Sequence, residues 1–149
     1  MARRERMIGP AALLVAAIGL LGDWAMAASS KRLGAEQTGA VVTMNIYSGR
    51  PDPTWTLEGG RLAELLTRLD ALPEAAAPSP PTGALGYRGL TVSFSDGREI
   101  EIGGGRVALG GASLEDKGRA FERWIVGTGR ESVDAKALDA ALGQIDKSR

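Results

Sequence analysis

Residues 47–55 hold the densest recognition chemistry in this chain. Tyr47 and Trp55 stand at the ends and Arg50 and Asp52 between them, with Pro51 and Pro53 restricting the backbone. A guanidinium held beside aromatic rings can take a carboxylate, a phosphate or a sugar. Its planar fork donates two parallel hydrogen bonds, and its face stacks on a ring. The same residues also suit architecture, with Trp55 stapled to the core and Arg50 and Asp52 bracing the turn from within. Tyr87 and Arg88, between Gly86 and Gly89, repeat the pairing. If the two loops meet at one sheet end, Arg50, Trp55, Tyr87 and Arg88 line a single concave patch. In the alternative, Tyr87 covers the sheet edge.

Missing residue types exclude more chemistry than the present ones suggest. The chain has no His and no Cys. That removes zinc sites of the usual ligand types, a Ser-His-Asp triad, a cysteine nucleophile and histidine-held haem. Carboxylate, Ser/Thr–Lys and tyrosine chemistry remain, but no calcium-loop pattern appears and nothing calls for a metal or cofactor. Glu99 and Glu101 share a strand face at roughly 7 Å, within the range of glycosidase carboxylate pairs. Alternating acids on an exposed strand also discourage aggregation, which is the simpler reading. The glycines at 103–105, 110–111 and 127–129 are not followed by Gly-Lys-Ser/Thr, and they lack the strand–loop–helix order of dinucleotide sites. They read as turns.

The location of this chemistry follows from residues 1–27. Arg3, Arg4 and Arg6 lead into an uncharged run over 7–22, and Ala25 and Ala27 form an A-x-A cleavage site. This is the pattern of a secretory signal peptide. The run holds 16 residues and contains Pro10, too short for the ~20 residues a retained membrane anchor needs. Glu5 and Arg6 stand where twin-arginine signals carry an apolar pair, which favours general secretion. The expectation is a periplasmic or secreted bacterial protein with no membrane association after cleavage. Without cysteine it is neither a lipoprotein nor a disulfide scaffold. The signal takes three arginines and two acids from 18 basic and 18 acidic residues, leaving 15 against 16 and a net charge near −1. Such balance gives no case for a nucleic-acid partner.

The elements that must position the loops are legible from periodicity. Polar residues 28–39 read as a flexible lead-in, and 40–47 as a strand with Val42, Met44 and Ile46 on one face. Leu62, Leu65, Leu66, Leu69 and Leu72 form the stripe of a helix over 57–72, with Thr56 as N-cap and Pro73 as stop. A Pro/Ala-rich loop covers 73–86. Leu90, Val92 and Phe94 alternate into a hairpin whose Asp96 and Gly97 suggest a type I′ turn, and Ile100 and Ile102 return. A short strand over 106–109 follows. Helices are expected over 114–126, ending at Gly127, and over 135–145, capped by Asp134.

The order β-α-β-β-β-α-α predicts one α+β domain over 40–149. Its four-stranded, mostly antiparallel sheet carries about three helices on one face and leaves the other face wet. The functional expectation is a non-enzymatic exported module, with Arg50, Asp52, Trp55, Tyr87 and Arg88 as its site. It would bind an envelope protein or a small anionic or glycan ligand. The alternatives are a carboxylate-dependent hydrolase using Asp52, Glu99 or Glu101, and a structural or assembly role.

Overall fold

Alternating burial organises the chain around one antiparallel sheet. The computed structural model describes residues 28–82 and 85–147, so the signal expected over 1–27 lies outside the described residues. In chain order the elements are β1 (Ala28–Ser29), β2 (Glu36–Gln37), β3 (Ala40–Met44), β4 (Thr54–Leu57), α1 (Gly59–Ala71) and β5 (Leu90–Phe94). Then follow β6 (Glu99–Gly103), β7 (Arg106–Leu109), β8 (Ala112–Glu115), α2 (Ala120–Thr128) and α3 (Ala135–Lys147). Strands β1 and β2 form a small ribbon. The main sheet has six strands in the order β4-β3-β5-β6-β7-β8, and every neighbouring pair is antiparallel.

One face of the sheet is apolar and covered. Val42, Met44, Val92, Ile100, Val107 and Leu114 are fully buried on it, in one core with the helices. The α1 leucines 62, 65, 66 and 69, Phe121 and Ile125 of α2, and Ala141 and Ile145 of α3 complete that core. The intervening strand residues, among them Thr43, Thr91, Ser93, Glu99 and Glu101, are half-buried or exposed. Helices on both faces would have buried this second set, so the α+β arrangement has one wet face.

Two strands beyond the expected four extend the sheet. Strand β4 occupies residues assigned to the loop and the helix start, so Thr56 is a strand residue and Glu58 is the helix N-cap. Pro51 and Pro53 hid it, yet Met44 N still donates to Pro53 O at 2.9 Å and opens the β3–β4 ladder. Strand β8 takes the first residues of the expected second helix, and α2 starts only at Ala120. It runs through Gly127, with Gly129 as its C-cap. Trp124, expected in the core, is half-buried, with Arg68 stacked over its ring at 4.8 Å.

The turns also redistribute. Gly104 and Gly105, and again Gly110 and Gly111, have positive φ and each join two strands through a two-residue loop, as type I′ geometry requires. At the 94–98 hairpin only Gly97 is left-handed. Gly97 N donates to Phe94 O, and Phe94 N to Arg98 O. That is a type I turn followed by a glycine bulge, and Asp96 keeps negative φ.

Residues 28–39, expected to be flexible, are packed. Leu33 is 1% exposed. The Asp70 carboxylate accepts from Ser30 Oγ at 2.7 Å and from the backbone N–H of Lys31 and Arg32 at 2.9 and 3.1 Å. Arg32 adds hydrogen bonds to the carbonyls of Leu69 and Leu72 at the C-terminal end of α1. The 73–86 segment is anchored as well: Glu115 N donates to Pro73 O and Ala75 N to Ser113 O, both at 2.8 Å, along the outer side of β8.

Candidate functional site

The loop between β3 and β4 closes on itself through Asp52. Its Oδ1 accepts from Ile46 N at 3.0 Å and Tyr47 N at 2.7 Å, tying the loop's start to its end. Just beyond β3 and β5, Asn45 N donates to Gly89 O and Arg88 N to Asn45 O, so the two expected loops meet at one sheet end. The Arg88 guanidinium reaches across, donating from Nη2 to Tyr47 O at 2.9 Å and standing 3.7 Å from Asp52 Oδ2.

Arg50 lies on the ring of the same tyrosine. Its guanidinium carbon is 3.5 Å from the Tyr47 ring centroid. Stacking of this kind contributes about 0.5–1 kcal/mol at an exposed site. It orients the cation while leaving the in-plane N–H edge open to solvent. Arg50 is exposed and Arg88 is 46% exposed, so both present donors outward. Among the described residues Arg50 pairs with no carboxylate. Tyr47 was visible in the sequence as the loop's leading aromatic, yet was not counted among the site residues.

Trp55 and Tyr87 do not join this patch. Trp55 sits on the covered face of β4, 5% exposed, and its Nε1 donates to Thr128 Oγ1 at 2.9 Å. A Cβ on Gly129 would lie 3.1–3.2 Å from the indole ring, so the helix C-cap is glycine where the ring passes. Trp55 therefore docks the end of α2 against the sheet. Tyr87 is 2% exposed, and its hydroxyl donates to Glu122 Oε1 at 2.8 Å. The expected four-residue patch thus reduces to Arg50 and Arg88, joined by Tyr47 and braced by Asp52.

Tyr87 belongs to a buried charged cluster that periodicity did not reveal. Arg119 donates from Nε and Nη2 to the two oxygens of Glu122, both at 2.8 Å. Glu122 is fully buried and Arg119 is 8% exposed. Asp116 accepts from Phe121 N and Glu122 N at 2.9 Å, capping α2 from beyond a single 3₁₀ turn (Lys117–Arg119). Burial raises the Asp116 carboxyl above its usual range, against the pull of these N–H groups. Burial, and then the Glu122 charge, push the Tyr87 phenol far up, so it remains a donor at all physiological pH. The hydrogen bonds from Arg119 to Glu122 raise the guanidinium further. Arg119 is the one non-glycine residue with positive φ among the described residues, at 55°. That conformation costs roughly 1 kcal/mol, and the bidentate pair offsets it. The only local signal was Arg119 and Glu122 three apart, a spacing that on most helices marks a solvated pair.

The other candidate carboxylates lie on the wet face of the sheet. Glu99 accepts from Ser93 Oγ at 2.6 Å, and Glu101 stands opposite Thr91 and Ala108. Among the described residues no group of three or more acidic, His or Cys side chains is placed to hold a metal ion. No described helix is long and apolar enough to cross a membrane. Hollows of about 270–290 Å³ open between α2 and α3, between α1 and α2, and beside the β6–β7 turn, and none of these is lined by Arg50 or Arg88. Compared with known proteins, the chain matches no family model, no curated protein and no solved structure.

Proposed function

We propose that this chain is a non-enzymatic binding module that works outside the cytoplasm, as a periplasmic or secreted bacterial protein. It takes an anionic group, on an envelope protein or a small anionic or glycan ligand, at the Tyr47–Arg50–Arg88 face. The observation that carries this reading is Arg50: an exposed cation held over Tyr47 with no carboxylate partner among the described residues, on a loop that Asp52 closes. A cation fixed in this way binds with little further loss of freedom. The signal pattern over 1–27 supports export. The hydrolase alternative draws on Asp52, Glu99 or Glu101. Asp52 and Glu99 already accept hydrogen bonds from this chain, which favours binding over catalysis.

Titration calorimetry with poly-glutamate and with a polyuronate tests the reading on the chain from Ala28. Saturable binding to one of them, lost in Arg50→Ala and weakened in Arg88→Ala, is the expected result. Equal binding by wild type and Arg50→Ala, or none to either polymer, would remove the site.

A further inference from the structure

We propose that the free edge of β4 pairs with β4 of a second copy of this chain, antiparallel and about a two-fold axis. The proposal rests on the reading of Arg50 as a carboxylate-binding group, and it identifies that carboxylate as Glu58 of the second copy.

The two edges of the sheet are treated differently. The β8 edge is covered by this chain's own 73–75 segment through two backbone hydrogen bonds. Nothing among the described residues covers β4. The hydrogen bond from Met44 N to Pro53 O, with the register Val42↔Trp55 and Ala40↔Leu57, assigns the peptide groups of Pro53, Trp55 and Leu57 to β3. In an antiparallel ladder the alternate residues then face away, so the N–H and C=O groups of Thr54 and Thr56 point outward. Pro53 does not protect this edge, because its missing N–H falls on the β3 side. The edge residues are strong strand formers, and β4 carries no lysine or inward charge of the kind that blunts natural edges.

Charge names the occupant. Arg50 precedes the free edge and Glu58 follows it, and both are exposed. Among the described residues neither belongs to an ion pair. Antiparallel pairing sets the leading end of one β4 beside the trailing end of the other. Two Arg50–Glu58 pairs form by symmetry, whereas a parallel arrangement would oppose like charges. A four-residue strand pair buries far less than the ~1,200 Å² of a stable interface, so the association is reversible and concentration-dependent.

Sedimentation velocity on the chain from Ala28, over micromolar to millimolar concentration, reads the association directly. The expected result is a monomer–dimer equilibrium weakened at least ~10-fold by Arg50→Glu or by Glu58→Arg and recovered when the two are combined. Thr56→Pro removes one outward N–H and should weaken it as well, with circular dichroism showing that the variant is folded. A chain that stays monomeric throughout, or a dimer indifferent to both the charge swaps and Thr56→Pro, overturns the pairing. If that chain still binds poly-glutamate or a polyuronate through Arg50, only the pairing falls and the reading of the site stands.

Discussion

Tyr87 and Arg88 are neighbours in the chain and belong to opposite kinds of arginine–tyrosine–carboxylate cluster. Tyr87 points inward to Glu122 and Arg119, where every partner is supplied by the fold. Arg88 points outward to Tyr47 and Asp52, beside an Arg50 that has an aromatic ring but, among the described residues, no acid. The residue types are nearly the same, and the alternation of an extended backbone sends them to different environments. In the closed cluster the charges hold α2 against the start of β5. In the open one, Arg50 remains without an acid among the described residues, and on this opening the proposed binding rests. Composition therefore does not distinguish a binding site from a brace; the completeness of the partner set does.

Breaking the closed cluster should have the largest effect. Glu122→Ala leaves the buried Tyr87 phenol without its acceptor and the Arg119 guanidinium without its carboxylate. Only the Gln144 carbonyl at 3.5 Å remains to the guanidinium, and urea unfolding should show a loss of about 3–5 kcal/mol. A loss below about 1 kcal/mol would mean the cluster is solvated and the contrast with the loop is false. Tyr87→Phe removes one hydrogen bond to a charged acceptor and should cost about 1.5–3 kcal/mol. A double-mutant cycle with Glu122→Gln should show that the two effects do not add.

Asp70, the clamp on the 28–39 segment, has a smaller and pH-dependent effect. Burial raises its carboxyl, but hydrogen bonds from Ser30, Lys31 and Arg32 outweigh burial and hold it below the ordinary value. A carboxylate lowered in the folded state contributes stability above its unfolded pKa, and that contribution is lost as pH falls through the folded value. Asp70→Asn should therefore be less stable than wild type at neutral pH, and the gap should close in strong acid. A gap that widens on acidification would reverse the sign and the argument. The smallest effect on stability is expected at Arg50→Ala, a loss of no more than about 1 kcal/mol, since the exposed guanidinium stacks on the Tyr47 ring and joins no ion pair among the described residues. A larger loss would turn the open cluster into a second brace.

Much of the framework was legible because it depends on near neighbours. The leucine stripe of α1, the alternation in β5 and β6, and Asp134 capping α3 through Lys136 N and Ala137 N all involve residues a few positions apart. The glycine turns belong to the same class. Strands β4 and β8 were less legible, because four residues beside prolines or glycines carry too little pattern to separate strand from loop or helix. The lead-in read as flexible because its anchoring acceptor, Asp70, lies about forty residues away.

The amino-acid sequence by itself determined which chemistries are absent, since no His or Cys exists to supply them. It also determined the one-sided sheet and the loop in which Arg50 and Asp52 sit between prolines. Only the tertiary structure decided which aromatics serve that loop. Trp55 found Thr128 at a separation of 73 residues, and Tyr87 found Glu122 at 35. Burial and hydrogen bonding are satisfied by whatever the fold brings within 3 Å, and a local pattern carries no record of that partner.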